Sequence, residues 1–435
     1  MKRQFIRIFI LVAALVEAAV AGDSTNEAPT PAMQAITVDA LVEEALQQNP
    51  ELIFVQTEVD AAAASLETAG VPANPELSGT LGRKTVDSAG LRDEGVAWSV
   101  SVAQSFEWPG RIGLRKAIAN RDVELAELGV DRFRSALASR VRLLACVLSA
   151  AQQKAAAAQE VADRLSLLRE VLVQRDPAGI TPLLETRVVE ATEVNAQRAA
   201  GEAAQEAQTA LFELNALRGK SPDAALAITE MPLKFDPIGN KDALLAAART
   251  DNFDVRVKAI ELAQQGIRVD LVDNERFPAI AIEPSYSEED AGEEEQVISL
   301  GISAPLPLWN RNAGSIKAAH ARQLQAESSL DLARRNVERQ VIQAMFTYES
   351  KVREMARWRP DSLQQFREAA ELADRHYRLG AVPVATFIEL QQQYLEAVES
   401  LLATKSEALE AALQLEQLTG LPAQVITISP KGEKQ

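Results

Sequence analysis

Side chains able to do covalent or metal chemistry are few in this sequence, and they are scattered. His320 and His376 are the only histidines, and neither has a cysteine or a second histidine at ligand spacing. Both are expected on helix surfaces. Met1, Met33, Met231, Met345 and Met355 do not cluster, so no soft copper site is expected. Cys146 stands alone within a helical stretch, which excludes an intrachain disulfide and suggests a buried, inert thiol. There is no phosphate-cradling glycine loop and no nucleophile elbow. Carboxylates abound, with 62 acidic residues against 45 basic and a net charge of −17. The densest run is Glu288-Glu289-Asp290-Ala291-Gly292-Glu293-Glu294-Glu295. It lacks the Asp-x-Asp-x-Asp spacing and fixed glycine of an EF-hand loop. A solvated loop accounts for it, with cation capture as the alternative reading. Neither an enzyme nor a resident cofactor or metal is expected, and phosphate repulsion argues against a nucleic-acid partner.

The elements that must carry such a chain begin with an export signal. Lys2, Arg3 and Arg7 precede an apolar run from Ile8 to Val16, and Ala19-Val20-Ala21 supplies a small-x-small cleavage pattern. The run is far shorter than the ~20 residues that span a bilayer. Residues 1–21 therefore read as a signal peptide and 22–37 as a linker. No cysteine follows the site, so no lipidation is expected. Removing Lys2, Arg3, Arg7 and Glu17 leaves a mature charge of about −19.

The remainder is written twice. Asp39-Ala40-Leu41-Val42 with Asn49-Pro50-Glu51-Leu52 recurs as Asp242-Ala243-Leu244-Leu245 with Asn252-Phe253-Asp254-Val255. Trp108-Pro109-Gly110-Arg111 is echoed by Trp309-Asn310-Arg311-Asn312, and Leu217-Arg218-Gly219 by Leu418-Thr419-Gly420. A further echo pairs Leu183-Leu184-Glu185 with Phe387-Ile388-Glu389. Repeats over 38–220 and 242–420 follow, joined by a linker at 221–241 and ending in a tail at 421–435. Each repeat predicts a first helix (about 38–70 in the first), two strands, a very long helix, a break, and another long helix. The long helices fall at 112–173 and 180–219, then at 313–378 and 384–420. Their Ala, Leu, Glu, Gln and Arg content favours helix, and their length reaches roughly 90–100 Å at 1.5 Å per residue. A filamentous coiled coil is the competing reading, but runs such as Ala155-Ala156-Ala157-Ala158 suit closely packed neighbours.

Four segments alternate with period two, at about 76–86, 95–106, 278–287 and 296–304. Val96, Trp98, Val100 and Val102 alternate with Ala97, Ser99 and Ser101, and Ile298, Leu300 and Ile302 with Ser299, Gly301 and Ser303. Their length suits tilted transmembrane strands, although a half-buried soluble sheet alternates in the same way. Polar, acidic stretches at 87–95 and 288–295 would join them as outer loops. Four strands cannot close a barrel, and an open edge cannot face lipid. Two chains would give eight strands and a filled interior. Three would give twelve and a homotrimer that conducts. Trp108, Pro109, Gly110, Trp309, Asn310 and Arg311 mark the strand-to-helix junctions, where the tryptophans fit either an interfacial belt or local packing.

These residues resemble the outer-membrane efflux proteins, the TolC-like channels, over about 36–422. The carriers are the doubled opening at Asn49-Pro50-Glu51-Leu52, the strand exits, and Tyr377-Arg378-Leu379-Gly380-Ala381-Val382 running into Phe387-Ile388-Glu389-Leu390-Gln391. Pro305-Leu306-Pro307-Leu308-Trp309-Asn310-Arg311-Asn312-Ala313-Gly314 is similar to the heavy-metal, cobalt–zinc–cadmium resistance branch. The resemblance implies a mainly helical, duplicated protomer giving four strands to a trimeric twelve-stranded barrel, continued by a periplasmic helical barrel with an equatorial belt at 221–241 and the tail. It implies an outer-membrane location, a periplasmic adaptor (membrane fusion) protein, and an inner-membrane resistance-nodulation-division transporter that supplies the energy. The adaptor would dock at a tip around Arg175, Asp176, Gly179, Arg378 and Gly380, with Arg175, Asp176 and Arg378 able to latch neighbouring coils. The same tip would hold a gate. Relatives carry acidic rings there; this chain has Thr386 at the first such position, a departure, which leaves Glu389 and its counterpart Glu185 as gate candidates or plain solvated positions. A duct for protein secretion or organic compounds, and a pore-less periplasmic scaffold, are the alternatives.

Overall fold

The computed structural model describes residues 35–88, 91–175, 183–229, 233–291, 293–359, 361–421 and 426–428. The expected signal peptide and most of the linker after it lie outside these residues. Each repeat starts with a helical elbow rather than the single helix expected over 38–70. In the first repeat α1 (Val38–Gln48) meets α2 (Pro50–Ala69), and in the second α5 (Lys241–Asp251) meets α6 (Phe253–Asn274). The corner residue is an asparagine in both. Asn49 Oδ1 accepts from the Glu51 and Leu52 amides, and Asn252 Oδ1 from those of Asp254 and Val255. Each caps the second helix in the way that favours Asn at this position. Each also reaches across the repeat. Asn49 Nδ2 donates to the Leu217 carbonyl and Asn252 Nδ2 to that of Leu418, both at 3.0 Å. Both side chains are buried, so the bonds exchange no water. The sequence landmarks that open and close each repeat are therefore in contact. Gly219 follows the first pin at φ 65°, and a Cβ there would sit 2.7 Å from the Gln48 carbonyl oxygen. Glycine alone fits that approach.

β1 (Glu76–Ser88) and β2 (Leu91–Phe106) form one hairpin, and β4 (Ile280–Ala291) and β5 (Glu293–Ser303) another. Both run further than expected, so most of the predicted loops at 87–95 and 288–295 are strand. The sheet order is β1-β2-β4-β5, antiparallel throughout, with Val100 opposite both Gly79 and Tyr286. This register segregates the faces. One carries Leu77, Leu81, Trp98, Val100, Val102, Ile282, Ile298, Leu300 and Ile302, and is bare to solvent in the single chain, with Ile298 85% exposed. The other carries hydroxyls that bond across strands: Ser78 to Ser101, Thr80 to Ser99 and Ser285 to Ser299.

Below the sheet, α3 (Arg111–Arg175) is an unbroken helix of 65 residues, about 98 Å long. It packs along α4 (Leu183–Leu217) through Val161, Leu165, Leu168 and Leu172, a spacing that keeps one seam facing its partner. The second repeat differs. The helix expected over 313–378 is divided into α7 (Ala313–Met355) and α8 (Ser362–Arg378), followed by α9 (Val384–Thr419). The sequence between α7 and α8 contains Pro360, a residue type with no amide hydrogen to donate to the ladder of a continuing helix. Around mid-length, β3 (Leu233–Phe235) pairs with β6 (Ile426–Ile428), and Leu233 and Phe235 pack beside Cys146, Leu409 and Leu413. Cys146 is buried as expected, and burial pushes its thiol pKa up.

Two outcomes test these contacts. Asn49→Ser keeps a capping oxygen but orphans the Leu217 carbonyl, and should destabilise by about 1–3 kcal/mol. Asn49→Ala should add about 1 kcal/mol for the lost cap. Thermal unfolding in detergent, followed by far-UV circular dichroism, checks the order. Glu44 gives the second. Burial raises its pKa, but hydrogen bonds from Arg218 and Lys220 outweigh this and hold it below the usual carboxylate value. Its stabilisation is complete above the unfolded pKa of about 4.3 and is lost as pH falls through the lower folded value. The stability gap between the wild type and Glu44→Gln should therefore be wide at neutral pH and close on acidification.

Candidate functional site: the channel wall and its periplasmic end

Some of the residues at the strand exits make contacts that hold the helix starts. Trp108 stacks on Phe277, centroids 4.7 Å apart. Arg111 donates to Asn274 Oδ1 at 3.1 Å and to the carbonyls of Asn274 and Phe277 at 3.0 and 2.7 Å. Asn274 Nδ2 returns a bond to the Pro109 carbonyl, and Gly110 takes φ 90° at the turn. The start of α3 is thereby bolted to the end of α6. In the second repeat Asn312 Nδ2 donates to the Val272 carbonyl, and Asn310 Oδ1 accepts from the Asn312 amide. Trp309 is 94% exposed and Arg311 is exposed as well.

The hydroxyl face of the sheet holds the charges most able to meet a passing ion. Glu283 accepts from Ser101 Oγ at 2.6 Å. Further along, Lys84 bridges Glu289 at 2.7 Å and Glu295 at 3.0 Å. The acidic stretch predicted as a loop thus contributes two carboxylates to a strand-borne ion-pair cluster.

At the far end, α8 ends in a glycine-dependent turn. Gly380 has φ 72°, its amide donates to Tyr377 O, and the Ala381 amide to His376 O. Those bonds satisfy the last carbonyls of the helix. Tyr377 packs on Phe387 at 5.8 Å, which fastens α8 to α9. Arg378 pairs with Asp374 one turn back on its own helix, at 3.0 Å. Thr386 is half-buried in the first turn of α9, and Glu389 is exposed in the second, accepting from Gln393. Glu185 is half-buried in the first turn of α4, where a negative charge suits the helix dipole. No hydrogen bond or ion pair joins Glu185 to Glu389 among the described contacts. Asp176 and Gly179 lie outside the described residues, as does the side chain of Arg175. His320 and His376 are exposed on helices.

The strongest polar assembly near this end was not visible in the sequence. Gln391 is fully buried and donates to the Ala370 carbonyl at 2.8 Å. Arg164 of α3 donates to Gln391 Oε1 at 3.3 Å, pairs with Glu160 at 2.6 Å, and approaches Glu371 at 3.4 Å. Arg367 closes the cluster on Glu160 at 3.1 Å. Three helices, α3, α8 and α9, are held together by one guanidinium. Lys154 makes a similar bridge higher up, to Glu399 at 2.7 Å and Glu206 at 3.8 Å. The partners lie on helices distant in sequence, so no local pattern could have found them.

A sheet apolar on one face and hydroxylated on the other, set on helices of this length, defines the subunit of an outer-membrane channel with a large helical part. Residues 244–421 match the family model described as "Outer membrane efflux protein". The chain is 23% identical to the pyoverdine export outer membrane protein OpmQ of Pseudomonas aeruginosa, over 88% of this chain and 85% of that protein. It is 25% identical to the cobalt-zinc-cadmium resistance protein CzcC of Cupriavidus metallidurans, over 73% and 76%. The nickel-cobalt-cadmium resistance protein NccC of Alcaligenes xylosoxydans is 24% identical over 70% and 68%. Among solved structures, the outer-membrane channel OprN superposes with a TM-score of 0.71 at 18% identity, covering 88% of this chain and 89% of that one. CusC superposes at 0.70 and 15%, covering 89% and 92%. Residues 244–421 are thus similar to the outer membrane efflux proteins, and the fold over most of the chain is that of solved outer-membrane channels.

Arg164→Ala should leave Gln391 and Glu160 without their shared donor. Hydrogen bonds to charged groups contribute about 1.5–3 kcal/mol, so amide exchange along α8 should accelerate by roughly tenfold or more. Exchange in α1 and α5 should be unchanged. Mass-spectrometric hydrogen exchange on the detergent-solubilised protein reads both.

Proposed function

We propose that three copies of this chain form the passive exit duct of a tripartite efflux pump whose cargo is divalent metal cations. The carrying observation is the four-stranded sheet with its two faces. β1 and β5 are unpaired edges, and in lipid such edges must be met by further strands. Three protomers supply twelve strands and leave a lumen lined by hydroxyls and carboxylates. Glu283, Glu289 and Glu295 share that face, and the overall charge of −17 favours cations over anions along the path. The protein contributes no chemistry in this reading. A periplasmic adaptor docks at the tip around Arg175, Asp176, Gly179, Arg378 and Gly380, and a resistance-nodulation-division transporter of the inner membrane drives export. Glu185 and Glu389 line the closed gate, where opposing carboxylates in a threefold ring repel unless a cation or proton sits between them. A metal cargo is supported by the likeness to two proteins named for metal resistance. An organic cargo is the second reading, because a third relative is named for pyoverdine export.

The test is a deletion strain, complemented with the wild-type gene, scored for tolerance to cobalt, zinc and cadmium and to organic toxicants. Loss of metal tolerance alone is the expected result. Loss of organic tolerance alone favours the second reading. For the gate, Glu185→Gln with Glu389→Gln should weaken block by divalent cations in planar bilayers by roughly tenfold, about 1.4 kcal/mol. Unchanged block would remove these residues from the gate.

A further inference from the structure

Like charges face each other near the outer end of the sheet. Glu289 of β4 and Glu295 of β5 are direct partners in the antiparallel register. Such a pair is destabilising unless a cation intervenes. The chain supplies that cation itself. Lys84 of β1 holds its ammonium 2.7 Å from Glu289 and 3.0 Å from Glu295. In the order β1-β2-β4-β5 this side chain crosses a whole strand to reach its partners. Its own neighbour on β2 is Gly95, so no side chain stands in the way. A Cβ built on Gly95 would fall on the Asp290 carbonyl, which leaves glycine as the residue that fits. One hairpin thus provides the ammonium and the gap, and the other provides both carboxylates.

The three side chains form a rung on the hydroxyl face. Lys84 lies four residues beyond Thr80, Glu289 four beyond Ser285, and Glu295 four before Ser299, and even steps along a strand keep one face. On the opposite face, at the neighbouring position, the apolar residues give way to an ion pair between Arg83 and Glu94. Charge on that face marks the end of a lipid-facing band. The rung therefore stands at the outer mouth. Glu295 keeps 63% of its side chain exposed there, in contact with the solution that would carry the ions.

We propose that Lys84 is a tethered counter-ion that keeps divalent cations from lodging at the outer mouth. Its ammonium occupies the place between two carboxylates that a hard cation would otherwise take, since carboxylate oxygens are the ligands such ions prefer. The inference rests on the exit-duct reading and assigns to this residue the release of cargo at the far end of the path. A tethered charge competes at an effective concentration on the order of millimolar, so free ions well below that level pass without displacing it. One ammonium against two carboxylates leaves a negative charge on each rung, which still favours cations over anions.

The test is Lys84→Gln in planar bilayers, with cobalt(II) chloride added on the barrel side. Block at a roughly tenfold lower cobalt concentration than in the wild type is expected, because the tethered competitor is gone. Lys84→Arg should behave as the wild type. Adding Glu289→Gln and Glu295→Gln to Lys84→Gln should return the block to the wild-type level. A conducting wild type with unchanged block in Lys84→Gln overturns the counter-ion role and leaves the duct standing. A wild type that does not conduct overturns the duct reading and this inference with it. Should Lys84→Gln fail to insert, Glu289→Gln with Glu295→Gln decides instead. That variant leaves an uncompensated ammonium at the mouth, and its reversal potential in a potassium chloride gradient should shift toward that of chloride. An unshifted potential would overturn the role of Lys84.

Discussion

Two buried asparagine amides hold the architecture in register. A helix as long as α3 has no internal feature that says where along its length a neighbour must sit, because a heptad seam repeats and can slide. Asn49 and Asn252 remove that freedom. Each uses its oxygen to start a helix and its nitrogen to hold the carbonyl that ends another, 168 and 166 residues away. Both groups are buried, so a slip of one turn would leave a donor and an acceptor unpaired in a site without water, a penalty of about 1–3 kcal/mol for each group. The glycine beyond each pin then turns the chain away in a left-handed conformation. The elbow fixes where α2 and α6 rise toward the sheet, and hence the height at which Arg111 meets Asn274. Everything above the pins inherits that setting.

Much of this was legible in the residues because the gene repeats itself. The duplication, the four alternating segments and the long helices follow from motifs and periodicity. The contact between the pins is not legible, since nothing in a linear order says that its first and last landmarks touch. The Asn-Pro-Glu opening carries the signature of a helix start, an asparagine cap followed by proline. That signature divides 38–70 into two helices. The hairpins run past their predicted ends because acidic residues need not mark a loop: Lys84 pairs with Glu289 and Glu295 on one face of the strands. At the periplasmic end, glycine positions were readable from sequence. The Arg164–Gln391 cluster was not, because its geometry exists only once α3, α8 and α9 are assembled.

Where the copies have diverged, the change follows the surroundings. Leu144 and Leu148 of the first core correspond to Ala344 and Tyr348 of the second. A small residue and a large one replace two of middle size, which conserves core volume. The larger residue also gains a task, since the Tyr348 hydroxyl donates to the Asp236 carbonyl at 2.8 Å and ties the inter-repeat linker to α7. Below that point the first repeat keeps one helix, whereas in the second α7 ends at Met355 and α8 begins at Ser362. The α8–α9 pair is therefore joined to the upper part through α9 and a short non-helical segment. Its position against α3 depends on side-chain contacts such as Arg164 and Lys154.

In the proposed duct, the polar face of the sheet would be suited to carry ions without retaining them. Its hydroxyls are largely paired with one another: Ser78 with Ser101, Thr80 with Ser99, and Ser285 with Ser299. A paired hydroxyl offers a passing ion a weak dipole rather than a free ligand. Lys84 likewise neutralises much of the charge that Glu289 and Glu295 would present. Glu283 accepts a hydrogen bond from the Ser101 hydroxyl. Rapid passage requires that binding be favourable enough for entry and weak enough for exit. A wall built from satisfied dipoles with isolated carboxylates meets both conditions, whereas a preorganised cage of ligands would meet only the first.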